Sequence, residues 1–179
     1  MTNAWTSTSI SYVQPRQPGQ VDAWTAEAAQ AGKKGGQRLT EVGECVPPEA
    51  IAAALRLTPG EPAVVRRRLI LEDDQPVELA DSYYPTQIAR GTALGERGKI
   101  PGGAPTLLAR LGYTAAEVAE DVSAREASAD ERAALNLAPG AWVLVLARIA
   151  VAENGLPMEA MLMTMRAQDR HLHYQMRVD

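Results

Sequence analysis

The chain has 179 residues, 46% of them hydrophobic, and a formal net charge of −4. That length supports one good core with a tail, and an acidic chain without a basic stripe is poorly suited to holding DNA unaided. The single Cys45 excludes an intrachain disulfide and a Cys-based zinc site, and no run approaches membrane-spanning length.

No cofactor and no metal is called for, and a cytoplasmic protein without membrane contact is the expectation. With three Trp, five Tyr and no Phe, aliphatic side chains must fill most of the core.

Residues 1–36 are polar and rich in Ser and Thr, with Pro15 and Pro18. They read as an extended arm with one short helix, Ala23–Ala31, capped by Asp22 and ended by Gly32. Residues 37–179 then form the folded domain. Gln37–Val46 alternates as a strand. Pro47-Pro48 opens a helix through Leu57, because Pro is tolerated in a first turn and Glu49 suits its positive end. Thr58-Pro59-Gly60 stops it.

Ala63 to Pro85 reads as two strands joined at Glu72–Gln75. Successive strand side chains point to opposite faces. Val65, Leu69, Leu71, Val77, Leu79 and Tyr83 make an apolar face, broken by Arg67 and Asp81. Arg66, Arg68, Glu78 and Ser82 make a mixed polar face, interrupted by Ile70 and Ala80. The second face fits the floor of a small-molecule pocket.

This hairpin resembles that of the UTRA domain, the effector-binding domain of GntR-type transcription regulators of the HutC subfamily. The family pattern is roughly R-x-R-x-x-D-G-x-P-x-x-x-E-x-S-Y-x-P. Aligned on Pro76 and Ser82-Tyr83-Tyr84-Pro85, Arg68 meets the first arginine. Ile70 replaces the second arginine, Asp73-Asp74 the Asp-Gly, and Ala80 the glutamate. The resemblance implies a chorismate-lyase-like α+β fold, with a central antiparallel sheet and pockets between sheet and loops. Family members carry a winged helix-turn-helix ahead of this domain. Thirty-six residues of this composition cannot form one, so a free-standing effector domain is expected if Met1 is the native start.

Past the hairpin, Thr86–Gly98 reads as short helix and loop. Lys99-Ile100-Pro101-Gly102-Gly103-Ala104-Pro105 precedes a helix from about Thr106 to Leu111. Glycines before a helix can offer free backbone N–H groups to an anion, and the resemblance places effector contacts at Gly102, Gly103 and Ala104. Glu117–Glu126 reads as a strand, with Asp121, Ser123 and Arg125 on one face; Arg125 is a candidate contact. Ser128 and Glu131 form a capping box for a helix to Leu137.

An internal repeat supports two helix-plus-hairpin halves. Residues 53–60 (AALRLTPG) recur 80 positions later as AALNLAPG, followed by a second strand-turn-strand. Arg148 repeats Arg68, and Glu159 repeats Glu78 after a one-residue insertion. Met161, Met163 and Met165 share a strand face with Glu159; core packing suits them, and flexible thioethers also line adaptable pockets, so Met163 joins the candidates. A last strand is expected at Arg170–Val178. Before it, residues 166–171 (RAQDRH) resemble a family turn whose tyrosine approaches the ligand, with His171 in that place.

Together these features predict a sensor domain that binds a small, anionic, partly apolar organic ligand, forms a homodimer and does not itself bind DNA. Arg68 supplies the fixed charge, with Ile70, Glu78, Ala80 and Ser82 around it. Two alternatives share the fold: a chorismate-lyase-like enzyme using Arg68 with Glu78, and a dimerisation partner of full-length regulators.

Overall fold

In the computed structural model, which describes residues 5–7, 9–17 and 19–174, the chain opens with strand β1 (Trp5–Ser7) and helices α1 (Ile10–Val13) and α2 (Ala23–Gln30). Strand β2 (Gly35–Cys45) and helix α3 (Glu49–Ala54) lead into the hairpin, β3 (Ala63–Glu72) and β4 (Gln75–Pro85). Short helices α4 (Thr86–Ala89) and α5 (Ala104–Arg110) precede strand β5 (Ala115–Glu126) and helix α6 (Ala129–Leu135). The second hairpin, β6 (Trp142–Ala152) and β7 (Pro157–Arg166), is followed by strand β8 (Arg170–Leu172).

This is an α+β fold on a six-stranded antiparallel sheet, ordered β2-β3-β4-β7-β6-β5. β1 pairs with β8 in parallel, beside that sheet. The order reads the same from either edge: β2, β3 and β4 correspond to β5, β6 and β7. The sequence repeat is therefore a structural one.

Asp73 and Asp74 make the turn of the first hairpin, at φ 48° and 62°. A two-residue turn of type I′, with positive φ at both positions, follows the twist of its strands. Aspartate tolerates this because its short side chain can bond locally. Asp73 accepts from the Lys34 N–H at 2.9 Å and donates its own N–H to the Lys34 carbonyl.

The two helix ends also match. Arg56 and Asn136, 80 positions apart, are both left-handed, at φ 56° and 53°. The next N–H in each case reaches back to close the helix, Leu57 to Ala52 and Leu137 to Arg132, each at 2.9 Å. That closure shortens the predicted helices, which end at Ala54 and Leu135 rather than at Leu57 and Leu137.

Helices α3 and α6 cover one face of the sheet. Ile51 and Leu55 pack on Val65, Tyr83 and Ala160, and Leu135 packs on Leu69 and Val143. Each such buried side chain contributes roughly 1.5–3 kcal/mol relative to exposure.

The opposite face is covered by α2 and by the segment around α4 and α5. Leu94 and Leu108 sit on Val64 and Tyr84 there, while Trp24 and Ala28 sit on Ile70 and Met165.

Two expectations change here. Val77, assigned to the helix-covered face, joins the Trp24 cluster instead, because a bulge beside Ile70 shifts the pairing from Glu78 to Pro76. The segment before β2 is not an arm standing off the domain: Trp24 is buried and its Nε1 donates to the Leu71 carbonyl at 2.9 Å. Gly35 permits that approach, since a Cβ there would sit 2.9 Å from Ala28 Cβ and 3.0 Å from Thr25 Cα. The last strand, expected over Arg170–Val178, begins at Arg170 but ends at Leu172 as β8, with His173 and Tyr174 outside it, and residues 175–179 lie outside the described residues.

Candidate functional site

The face under α1 and α2 carries a cavity of about 120 Å³. Alternation supplies its floor: Arg68 and Ile70 from β3, Glu78 and Ala80 from β4. The second half adds Leu146 and Arg148 from β6, with Glu159, Met161, Met163 and Met165 from β7. Register sets these side chains in rows across the sheet, and one row runs Arg68, Ala80, Met163, Leu146. The methyl of Ala80 leaves open space in the middle of that row.

Residues on the N-terminal side form the roof, including Ser9, Tyr12, Arg16 and Trp24, and Gly102 to Pro105 close one wall. Arg16 is tied down through its N–H to Thr106 Oγ1 at 2.9 Å, and Thr106 in turn donates to the Gly102 carbonyl.

Charges in the cavity fall into two groups. Arg148 pairs with Glu120 at 2.5 Å and Arg170 with Glu78 at 3.0 Å, all four well shielded. Burial raises the Glu78 carboxyl above its usual range, only partly offset by Arg170, Arg68 and Arg148. For Glu120 burial also pushes up, but the charge of Arg148 and hydrogen bonds from Ser9 and Arg148 outweigh it and hold it low. Arg170 stacks over the Trp24 ring at 4.8 Å.

Arg68 differs. It donates to Ser82 Oγ at 3.0 Å and reaches Gln37 Oε1 at 3.5 Å. Among the described residues it has no carboxylate partner, and its Nε is buried without an acceptor. Glu159 is buried and, among the described residues, accepts from one neutral donor, the Tyr84 phenol, at 2.6 Å. Burial and then Glu159 push that phenol well above its usual pKa, so it stays protonated and donates.

Of the residues singled out from sequence, Arg68, Ile70, Glu78, Ala80, Gly102, Gly103, Ala104 and Met163 line the cavity. Ser82 is fully buried beneath it and holds Arg68. Arg125 lies on the exposed edge strand β5, bound to Glu131 at 2.6 Å, away from the cavity. His171 is exposed; its neighbours Arg170 and Leu172 face in, because alternation turns the residue between them outward.

The Gly103 N–H, expected to be open to an anion, donates to the Ile100 carbonyl at 2.9 Å. Arg66, on the polar face, serves the wall instead, donating to the carbonyls of Ala93, Leu94, Glu96 and Gly98.

Sequence reasoning did not assign Arg148, Glu159, Arg170 or the roof to the site. The repeat carried the signal for the first two, since it maps them onto Arg68 and Glu78.

Comparison with known proteins gives this fold its family. Residues 30–171 match the UTRA domain. The chain belongs to that family, the effector domains of GntR-family transcriptional regulators.

Over 113 residues, 62% of this chain, it is 35% identical to an uncharacterized HTH-type transcriptional regulator of Streptomyces coelicolor, of which the match spans 42%. The effector domain of PhnF from Mycobacterium smegmatis superposes with a TM-score of 0.74 over 92% of this chain and 99% of that domain, at 19% identity. The C-terminal domain of the histidine utilization repressor from Pseudomonas syringae pv. tomato gives 0.68, over 81% and 100%, also at 19% identity. At such identity the shared property is the fold. No helix among the described residues is long and apolar enough to cross a membrane.

Proposed function

We propose that the cavity is the effector site of a HutC-type sensor domain with a chorismate-lyase-like fold, and that it takes a small, partly apolar organic anion. The observation that carries this reading is Arg68: a fixed guanidinium on the pocket floor, oriented by Ser82, that forms no salt bridge with a carboxylate among the described residues. A guanidinium offers a planar fork of donors suited to a carboxylate or phosphate. Ile70, Leu146 and the methionines give the rest of the ligand an apolar, adaptable surface.

The domain acts in the cytoplasm as a self-associating sensor, its exposed β5 edge being the kind of strand that needs covering. Operator recognition falls to another segment or partner, given the net charge of −4. Sedimentation at tens of micromolar tests the homodimer, and a lone monomer would refute it.

For the site, ligand recovered by native mass spectrometry is titrated by calorimetry. Loss of one charged partner in a shielded pocket weakens binding by about 2–5 kcal/mol, so Arg68→Ala lowers affinity at least about thirtyfold and Arg68→Lys recovers part of it. Unchanged affinity in folded Arg68→Ala would place the ligand elsewhere.

A further inference from the structure

The repeat places four equivalent charges under the cavity: Arg68 and Arg148 on the middle strands, Glu78 and Glu159 on the central pair. Two of them are neutralised inside the protein, Arg148 by Glu120 and Glu78 by Arg170. The other two, Arg68 and Glu159, have no opposite charge as partner among the described residues. They are opposite in sign. Arg68 donates to Ser82 Oγ at 3.0 Å, and Tyr84 donates to Glu159 Oε1 at 2.6 Å. Both charges, the guanidinium and the carboxylate, line the same cavity.

A carboxylate 5% exposed with a phenol as its one recorded donor is under-compensated, because buried charge is tolerated when paired and fully hydrogen-bonded. A ligand ammonium placed at the second oxygen would supply the missing charge and donor together. A hydroxyl would supply only the donor.

We infer that this half of the pocket is a zwitterion site, in which Arg68 takes the acid group and Glu159 the ammonium of one aminated organic acid. The inference rests on the effector reading and narrows it from an anion to an amino acid-like ligand. The floor of Ile70, Met161 and Met163 then selects an apolar side chain.

The test uses the purified full chain and calorimetry with valine, leucine, methionine and phenylalanine. Each is compared with its deaminated acid, its α-hydroxy acid and its decarboxylated amine. At least one amino acid should bind tenfold or more tightly than both its deaminated and its hydroxy analogue, and the amine alone should bind weakest. Glu159→Gln should remove that preference while leaving the deaminated acid unaffected, and Arg68→Ala should weaken all the acids. Tyr84→Phe keeps the carboxylate and should keep the preference, which guards against a Glu159 variant that folds poorly.

Acids that bind through Arg68 with no preference for the amine would overturn the zwitterion and leave the effector site standing. Binding indifferent to Arg68→Ala would overturn both. No binding by any amino acid in the set would also overturn the zwitterion.

Discussion

The two halves of this molecule share a helix, a hairpin and a register, yet they treat the same two charges in opposite ways. Arg148 is neutralised by Glu120, while Arg68 faces the cavity with a hydroxyl and an amide as its recorded partners. The cause lies on the neighbouring strand. Arg148 stands opposite Glu120 of β5, whereas Arg68 stands opposite Leu39 of β2, beside a bulge. The acids divide likewise: Glu78 receives Arg170 from β8, and Glu159 receives the neutral Tyr84. An edge element thus decides whether a charge on the floor is consumed by the fold or remains for a ligand.

The largest expected effect tests that division directly. Arg148→Ala would strand a shielded Glu120 with neutral donors such as Ser9, and breaking such a pair from one side costs about 3–5 kcal/mol. Arg68→Ala strands no carboxylate and removes one bond to Ser82, a loss of about 1 kcal/mol. Urea unfolding of the two variants side by side reads the difference. Equal losses would mean that Arg68 is as structural as its repeat partner.

Why one half was legible and the other was not follows from where the signals sit. The hairpin, the Asp22 cap, the Ser128–Glu131 capping box and the repeat are local patterns, and the structure contains each of them. Eight of the eleven singled-out residues line the cavity, and strand alternation or the family resemblance at the loop before α5 pointed to them.

The roof was not legible. Ser9, Tyr12 and Arg16 lie in a polar stretch without apolar periodicity, and what binds them are distant partners such as Glu120 and Thr106. Arg170 and His171 differ by one position, and the phase of a three-residue strand is set by the preceding turn at Ala167–Asp169. Val77 went astray for a similar reason, since a bulge cannot be read from alternation.

A smaller contrast separates the two repeat helices. α6 begins at Ser128 with a complete capping box, whereas α3 begins at Pro48 with no side-chain cap. Glu131 is held first by Arg125 and also by Ser128, and together these lower its carboxyl from the ordinary 4.5 to about 2. A depressed carboxylate binds fewer protons folded than unfolded. Its contribution is therefore complete above about 4.5 and is lost as pH falls through about 2. Arg125 is half-exposed, so solvent screening trims the effect to about 1 kcal/mol. Glu131→Ala should cost that much at pH 7 and little near pH 2, by urea unfolding at each pH. A deficit independent of pH would refute the charge account. Glu49→Ala, in the uncapped α3, should cost only a few tenths of a kcal/mol.

The smallest effect lies at the helix ends, where the halves match in backbone and differ in residue. Arg56 and Asn136 both hold a left-handed conformation, at φ 56° and 53°. For a long side chain that geometry crowds Cβ against the following carbonyl, at a cost of roughly 1–2 kcal/mol, and asparagine bears it more readily. Arg56 recovers part of the cost through a surface bond from Nη1 to the Gly155 carbonyl at 3.0 Å, and an exposed bond of this kind is worth about 0.5 kcal/mol. Arg56→Asn should therefore stabilise the protein by about 0.5 kcal/mol. Asn136→Arg should destabilise it by about 1 kcal/mol, since no partner like Gly155 is recorded at that end. Because the sites sit on separate helices, the double exchange should equal the sum of the two. Thermal unfolding of the three variants measures this, and a destabilised Arg56→Asn would show that the Gly155 bond, tying the first half to the turn of the second, outweighs the strain it offsets.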